Sequence, residues 1–133
     1  MILHAGANDI LYLTPLSRAK EQMSKLLSRA KELSDNVVLI VSGDIGKSPI
    51  LPFPFGRYYS SRSKKYLNAF EEIAKQKEVA FVDIYNSEKN AKFKKEPGKY
   101  YAPDKIHLSG EGYKLWYEEI KETMRQEGIK LKN

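Results

Sequence analysis

Two short clusters hold the residue types that can do chemistry. The first is His4-Ala5-Gly6-Ala7-Asn8-Asp9, and the second is Asp104-Lys105-Ile106-His107. An Asp and a His three apart on a turn can point into one cleft, the carboxylate bonding one ring nitrogen. Such a bond fixes the tautomer and stabilises the imidazolium, leaving the other nitrogen as a general base. An Asn at a strand end can aim its amide N–H at a developing oxyanion. Asp-x-x-His alone is common by chance, so the elements around it decide its weight.

Those elements alternate. Met1-Ile2-Leu3 reads as the end of a buried strand that runs straight into the Gly6–Asp9 turn. Leu16, Ala19, Met23, Leu26, Leu27, Ala30 and Leu33 recur at helical spacing, with Thr14 as the expected cap and Pro15 in the first turn. Val37-Val38-Leu39-Ile40-Val41 is a continuous, mostly β-branched run, the pattern of a strand buried on both faces. Residues 45–59 carry Pro49, Pro52 and Pro54 among apolar and aromatic side chains and are expected to be irregular, either pinned to the core or walling a ligand. A helix over about 61–77 buries Leu67, Phe70, Ile73 and Ala74, and Val79–Ile84 forms the next strand. A lysine-rich polar loop spans 86–103, and the last helix runs from about Ser109 to Glu127. Tyr113, Trp116, Tyr117, Ile120 and Met124 line the apolar face of that helix, and Gly128 stops it. This order predicts an α/β fold with βαβ units on a parallel sheet. Ligands of such sheets bind beyond the carboxyl ends of the strands, which selects Gly6–Asp9, Ser42–Gly46 and Tyr85–His107.

Composition sets the bounds. A chain of 133 residues is expected to form one domain, 1–133, and to bury roughly two thirds of its unfolded surface. Hydrophobic residues at 41% and charged residues at 30% fit a soluble globular protein. With no cysteine, disulfides, thiolate metal sites and cysteine nucleophiles drop out together. Two histidines do not suggest a transition-metal site, and no cofactor is implied. Asp44 and Asp83 end strands and could hold Mg²⁺, but strand-end aspartates more often cap turns. No apolar run reaches the roughly 20 residues of a membrane helix. No signal peptide is visible, so the cytoplasm is the default location, a default that lapses if the true N-terminus is missing. The net charge of +6 raises nucleic acid or anionic surfaces as partners, although the basic residues are scattered among Glu and Gln rather than gathered in a stripe.

Gly6-Ala7-Asn8-Asp9 resembles the G-x-N-D block of the SGNH (GDSL) hydrolase family. The segment from Tyr101 to Trp116 resembles that family's last block, D-x-x-H followed by a short turn and G-Y opening the final helix. The two blocks lie at the expected ends, in the expected order, and the resemblance spans the chain. It implies a flavodoxin-like three-layer α/β/α fold and an esterase, lipase, thioesterase or deacetylase acting on a small ester or acyl substrate. It further implies His107 as general base, Asp104 as its orienting carboxylate, Asn8 as an oxyanion-hole donor, Gly6 as the residue that permits the tight turn, and a structural Asp9.

The departures matter as much. The family's G-D-S nucleophile block and its oxyanion glycine precede the G-x-N-D block, and neither occurs here. Gly43-Asp44-Ile45 has Ile where the serine belongs, and Ser42 reads as an ordinary strand-end residue. The fold expected is therefore N-terminally truncated, with about three strands and three main helices remaining. The serine would come from a missing N-terminal segment; the alternatives are an inactive pseudoenzyme or gene remnant and, less favoured, a basic nucleic-acid-binding protein. A truncated sheet also leaves an apolar edge through which the chain could self-associate. His4 reads as a strand residue beside the motif turn, the Trp116 and Tyr113 stripe as core, and the lysine-rich loop as solvated surface.

Overall fold

A strand with all four residues buried must be covered on both faces, and Val38–Val41 is such a strand. The computed structural model describes residues 1–129, the side chain of Asn90 excepted, so the last four residues of the expected domain lie outside it. The elements are β1 (Ile2–Ala5), α1 (Ala7–Leu11), α2 (Leu16–Leu33), β2 (Val38–Val41), a 3-10 turn (Ile45–Lys47), α3 (Phe55–Gln76), β3 (Ala80–Asp83), α4 (Asn90–Lys95), α5 (Pro97–Tyr100) and α6 (Gly110–Gln126). The strands form a parallel sheet in the order β1-β2-β3, with Ile2 opposite Val38, Ala5 opposite Val41, and Val41 opposite Asp83.

The two-residue period of β2 sorts its side chains between two cores. Leu39 and Val41 join Ile10, Met23, Leu27, Leu67 and Phe70 of α1, α2 and α3. Val38 and Ile40 join Val82, Ile84 and Met124, with Trp116 and Ile120 of α6 packed against them. Helices, sheet and helix make three layers, with three parallel strands and three long helices, α2, α3 and α6. A third cluster of Phe93, Tyr100 and Leu115 fastens α4 and α5 to α6. No helix is long and apolar enough to cross a membrane among the described residues.

Several boundaries differ from the sequence reading. Thr14 does not cap α2; Pro15 occupies the N-cap position, and the Thr14 carbonyl accepts from Arg62 and Tyr66 instead. The second long helix begins at Phe55, not near residue 61. All three prolines precede it, and Pro54 sits at the N-cap position, where the absence of an N–H costs no helical bond. Between the 3-10 turn and α3 the stretch is irregular, as its prolines predict, and it is pinned by close contact. A Cβ added to Gly46 would lie 2.1 Å from the Gly56 carbonyl oxygen, so the 3-10 turn meets α3 backbone to backbone. The 86–103 loop contains two short helices, α4 and α5. Along α6 the buried residues are Gly112, Leu115 and Met124, while Tyr113 and Tyr117 are exposed and are not core.

Candidate active site

Asp104 builds the turn that carries His107. Its Oδ1 accepts from the backbone N–H of Ile106 and of His107, both at 3.0 Å. Its Oδ2 lies 2.7 Å from His107 Nδ1. One carboxylate therefore shapes the turn and orients the ring. Hydrogen bonding from the His107 ring, with the two backbone donors added, holds the Asp104 pKa down at about 2. The turn is closed by Ala102 N–H donating to the His107 carbonyl at 2.8 Å and by a bridge between Tyr101 and Leu108. Ser48 Oγ–H donates to the Lys105 carbonyl at 2.6 Å, which ties the turn to the segment after β2. Directly behind, Ser109 caps α6 by accepting from the Gly112 N–H at 3.2 Å. His107 itself is largely solvent-exposed, which leaves its Nε2 facing outward from the carboxylate.

Gly6 makes the other turn. Its φ of 103° lies in the left-handed region, and a Cβ there would press Phe70 at 3.2 Å and Val41 at 3.4 Å. The chain can thus leave β1 and enter α1 at once, which places Asn8 and Asp9 in the first turn of that helix. Sequence reasoning missed what anchors α1. Arg62 of α3 donates Nε–H to the Ile10 carbonyl at 3.1 Å and Nη2–H to the Asp9 carbonyl at 3.3 Å, to the Thr14 carbonyl and to the Tyr66 hydroxyl. An arginine on the polar side of a helix gives no sequence signal of such a role.

His107 and Asn8 line one cleft of about 280 Å³, beyond the carboxyl ends of the strands. Leu11, Ile50, Ile106 and Leu108 give it an apolar wall. Trp116 and Tyr113 line it too, so this stripe serves the cleft as well as the helix face. Residues 45–51 supply part of the same wall, while Phe53, Phe55 and Tyr58 stand exposed outside it.

Three further strand-end groups make hydrogen bonds of their own. Asp44 Oδ1 accepts from the Gly46 N–H at 3.1 Å, and Asp83 accepts from the backbone and side chain of Asn86 at 2.9 and 2.6 Å, so both carboxylates cap turns. His4, on β1, has Nε2 3.1 Å from Ser42 Oγ and meets Trp116 edge to face at a centroid distance of 5.4 Å. The residue as a whole is exposed, but these neighbours cover part of the ring, and that desolvation pushes its pKa down. Of the loop lysines, Lys89 pairs with Glu119 at 3.0 Å and Glu122 at 3.6 Å, and Lys99 lies 4.0 Å from Glu96.

Two solved structures share this architecture. One is a mutant of Axe2, an acetyl-xylooligosaccharide esterase from Geobacillus stearothermophilus, at 16% identity and a TM-score of 0.67, covering 98% of this chain and 61% of that one. The other is a catalytic mutant of Axe2, an acetylxylan esterase from the same organism, at 18% identity and a TM-score of 0.63, covering 97% and 59%. The chain thus spans about three fifths of the length of those structures. A comparison with curated proteins finds no match. The sequence is matched over residues 1–115 by the model of the GDSL-like lipase/acylhydrolase family, and the chain belongs to that family.

Proposed function

We propose that this chain carries the base and an oxyanion donor of a serine-type ester hydrolase. The observation that carries the reading is the 2.7 Å bond from Asp104 Oδ2 to His107 Nδ1 at an apolar cleft that Asn8 also lines. With Nδ1 protonated and held, His107 Nε2 takes the proton of a serine hydroxyl as its oxygen attacks the ester carbonyl. The Asn8 amide N–H stabilises the oxyanion, and the imidazolium returns its proton to the departing alkoxide. A water, deprotonated in the same way, then releases the acid. Within this chain Ile45 stands where the G-D-S pattern would need serine, so the nucleophile of the family pattern would enter on a segment paired with the free edge of β1. Support for that position comes from β1, which pairs with β2 alone among the described residues. The cleft suits esters with an apolar acyl or alcohol part, and the activity named for Axe2 adds acetylated xylo-oligosaccharides as candidates.

The test uses the chain joined to the segment encoded directly upstream of it. Hydrolysis of p-nitrophenyl acetate, p-nitrophenyl hexanoate and acetylated xylo-oligosaccharides is compared with that of a His107→Ala variant. A loss on the order of 10³-fold or more is expected. An upstream sequence with no G-D-S turn in any frame, or a rate indifferent to His107, supports the alternative of a non-catalytic remnant.

A further inference from the structure

The cleft holds two incomplete catalytic halves. His107 has its orienting carboxylate, and among the described residues no hydroxyl bonds its Nε2. Ser42 has a histidine on its hydroxyl and needs no segment from outside the chain. We propose that Ser42 is an acyl-accepting nucleophile in its own right, with His4 as its base.

The pairing follows from the register of the sheet. His4 lies opposite Ile40 in the parallel β1–β2 pair, and Ser42 is two residues beyond Ile40. Side chains two apart point to the same face, so His4 and Ser42 emerge together on the side covered by α6. There Nε2 and Oγ approach to 3.1 Å, within reach for a nucleophile and its base. The perpendicular edge contact with Trp116 limits rotation of the imidazole. Ser42 is buried, and both residues line the cleft with Asn8 and Gly43. A hydroxyl under an apolar wall is shielded from competing water, and the partial desolvation of His4 keeps its ring neutral and able to accept a proton near pH 7.

The step balances without any further reactant. Ser42 Oγ–H gives its proton to His4 Nε2 as Oγ bonds the ester carbonyl carbon. The carbon–oxygen bond to the leaving group then breaks, the alkoxide takes the proton from His4, and acyl-Ser42 remains. Asn8 and Gly43 line the same cleft, and their amide N–H groups are the donors this proposal assigns to the intermediate oxyanion. Hydrolysis of acyl-Ser42 by a water that His107 deprotonates rests on the function proposed above, whereas the acylation does not.

The experiment mixes the 133-residue chain with p-nitrophenyl butyrate at pH 7.5, follows p-nitrophenolate release, quenches with acid and maps butyryl groups by peptide mass spectrometry. A burst near one equivalent with butyryl on Ser42 is expected. Ser42→Ala abolishes the burst, His4→Gln slows it by about 100-fold or more, and His107→Ala removes the turnover that follows it. Circular dichroism melts verify that the variants fold, and the map of the unaltered chain decides the matter even if one does not. Butyryl groups on lysines alone, or a burst rate unchanged by His4→Gln, overturn the proposal. Turnover untouched by His107→Ala defeats the His107 reading instead and leaves the Ser42 assignment standing.

Discussion

Asp104 does two jobs with one carboxylate, and a single atom change separates them. Asn at this position keeps an Oδ1 able to accept from the Ile106 and His107 amides, so the turn survives. Its second atom becomes an NH₂ group, which cannot accept a proton from His107 Nδ1 and favours the wrong tautomer. On the function proposed above, Asp104→Asn in the chain joined to a nucleophile-bearing segment is expected to lower kcat by about 10⁴-fold while leaving the melting temperature nearly unchanged. The carboxylate also has a pH signature. Its folded pKa is about 2 against an ordinary 3.8, so the folded state favours the ionised form. The contribution to stability is fully present above about pH 3.8 and is lost as pH falls through about 2. A carbon-detected NMR titration of the Asp104 carboxyl should give a midpoint near 2; a midpoint near 4 would mean that the bond to His107 does not persist in solution.

At the scale of elements, the turns that carry Asn8 and His107 depend on side chains outside the cleft. The end of α1 is held by Arg62, whose guanidinium also lies 4.7 Å from the ring centre of the buried Tyr66. Arg62→Met keeps much of the packing but strips donors from the Asp9, Ile10 and Thr14 carbonyls. A loss of roughly 2–3 kcal/mol in urea unfolding is expected, with faster amide exchange concentrated at Tyr12–Thr14. A uniform change in exchange would place the cost in the core instead. None of this anchoring was legible in the sequence. Periodicity located α2, β2 and α6 because their apolar spacing is set by burial, and the D-x-x-H turn was legible because its bonds are local. Arg62 bonds across 48 to 53 residues of chain, and nothing in its neighbours signals that. The same holds for Gly46, whose need to lack a side chain arises only where it meets Gly56. The start of α3 was misplaced for a different reason: three prolines argue against a helix where they stand, not immediately after the last of them.

For the whole molecule, the sheet carries the largest consequence. In a parallel sheet covered by helices, strands are ordinarily buried on both faces, and β2 meets that condition. Its neighbour β1 does not: Ile2 is 50% exposed, and no strand pairs with its outer edge among the described residues. Unpaired strand backbone beside exposed Met1 and Ile2 is a template for another strand. The +6 net charge opposes association, but the basic residues are dispersed, some of them neutralised in surface pairs such as Lys25–Glu21 and Lys20–Glu72, and the remaining repulsion screens away in salt. The 133-residue chain is therefore expected to self-associate in a concentration-dependent way, more strongly at 0.5 M than at 0.05 M NaCl. Ile2→Lys, which puts a charge on that edge, should shift the equilibrium toward monomer without lowering the melting temperature measured at high dilution. Sedimentation velocity on both proteins checks this. A monomer at all concentrations would show that β1 is protected in solution, and association untouched by Ile2→Lys would move the contact to the exposed aromatic residues of α3 or α6. The same edge is where a nucleophile-bearing strand would pair, so joining the chain to that strand should abolish the association and raise the His107-dependent hydrolysis together.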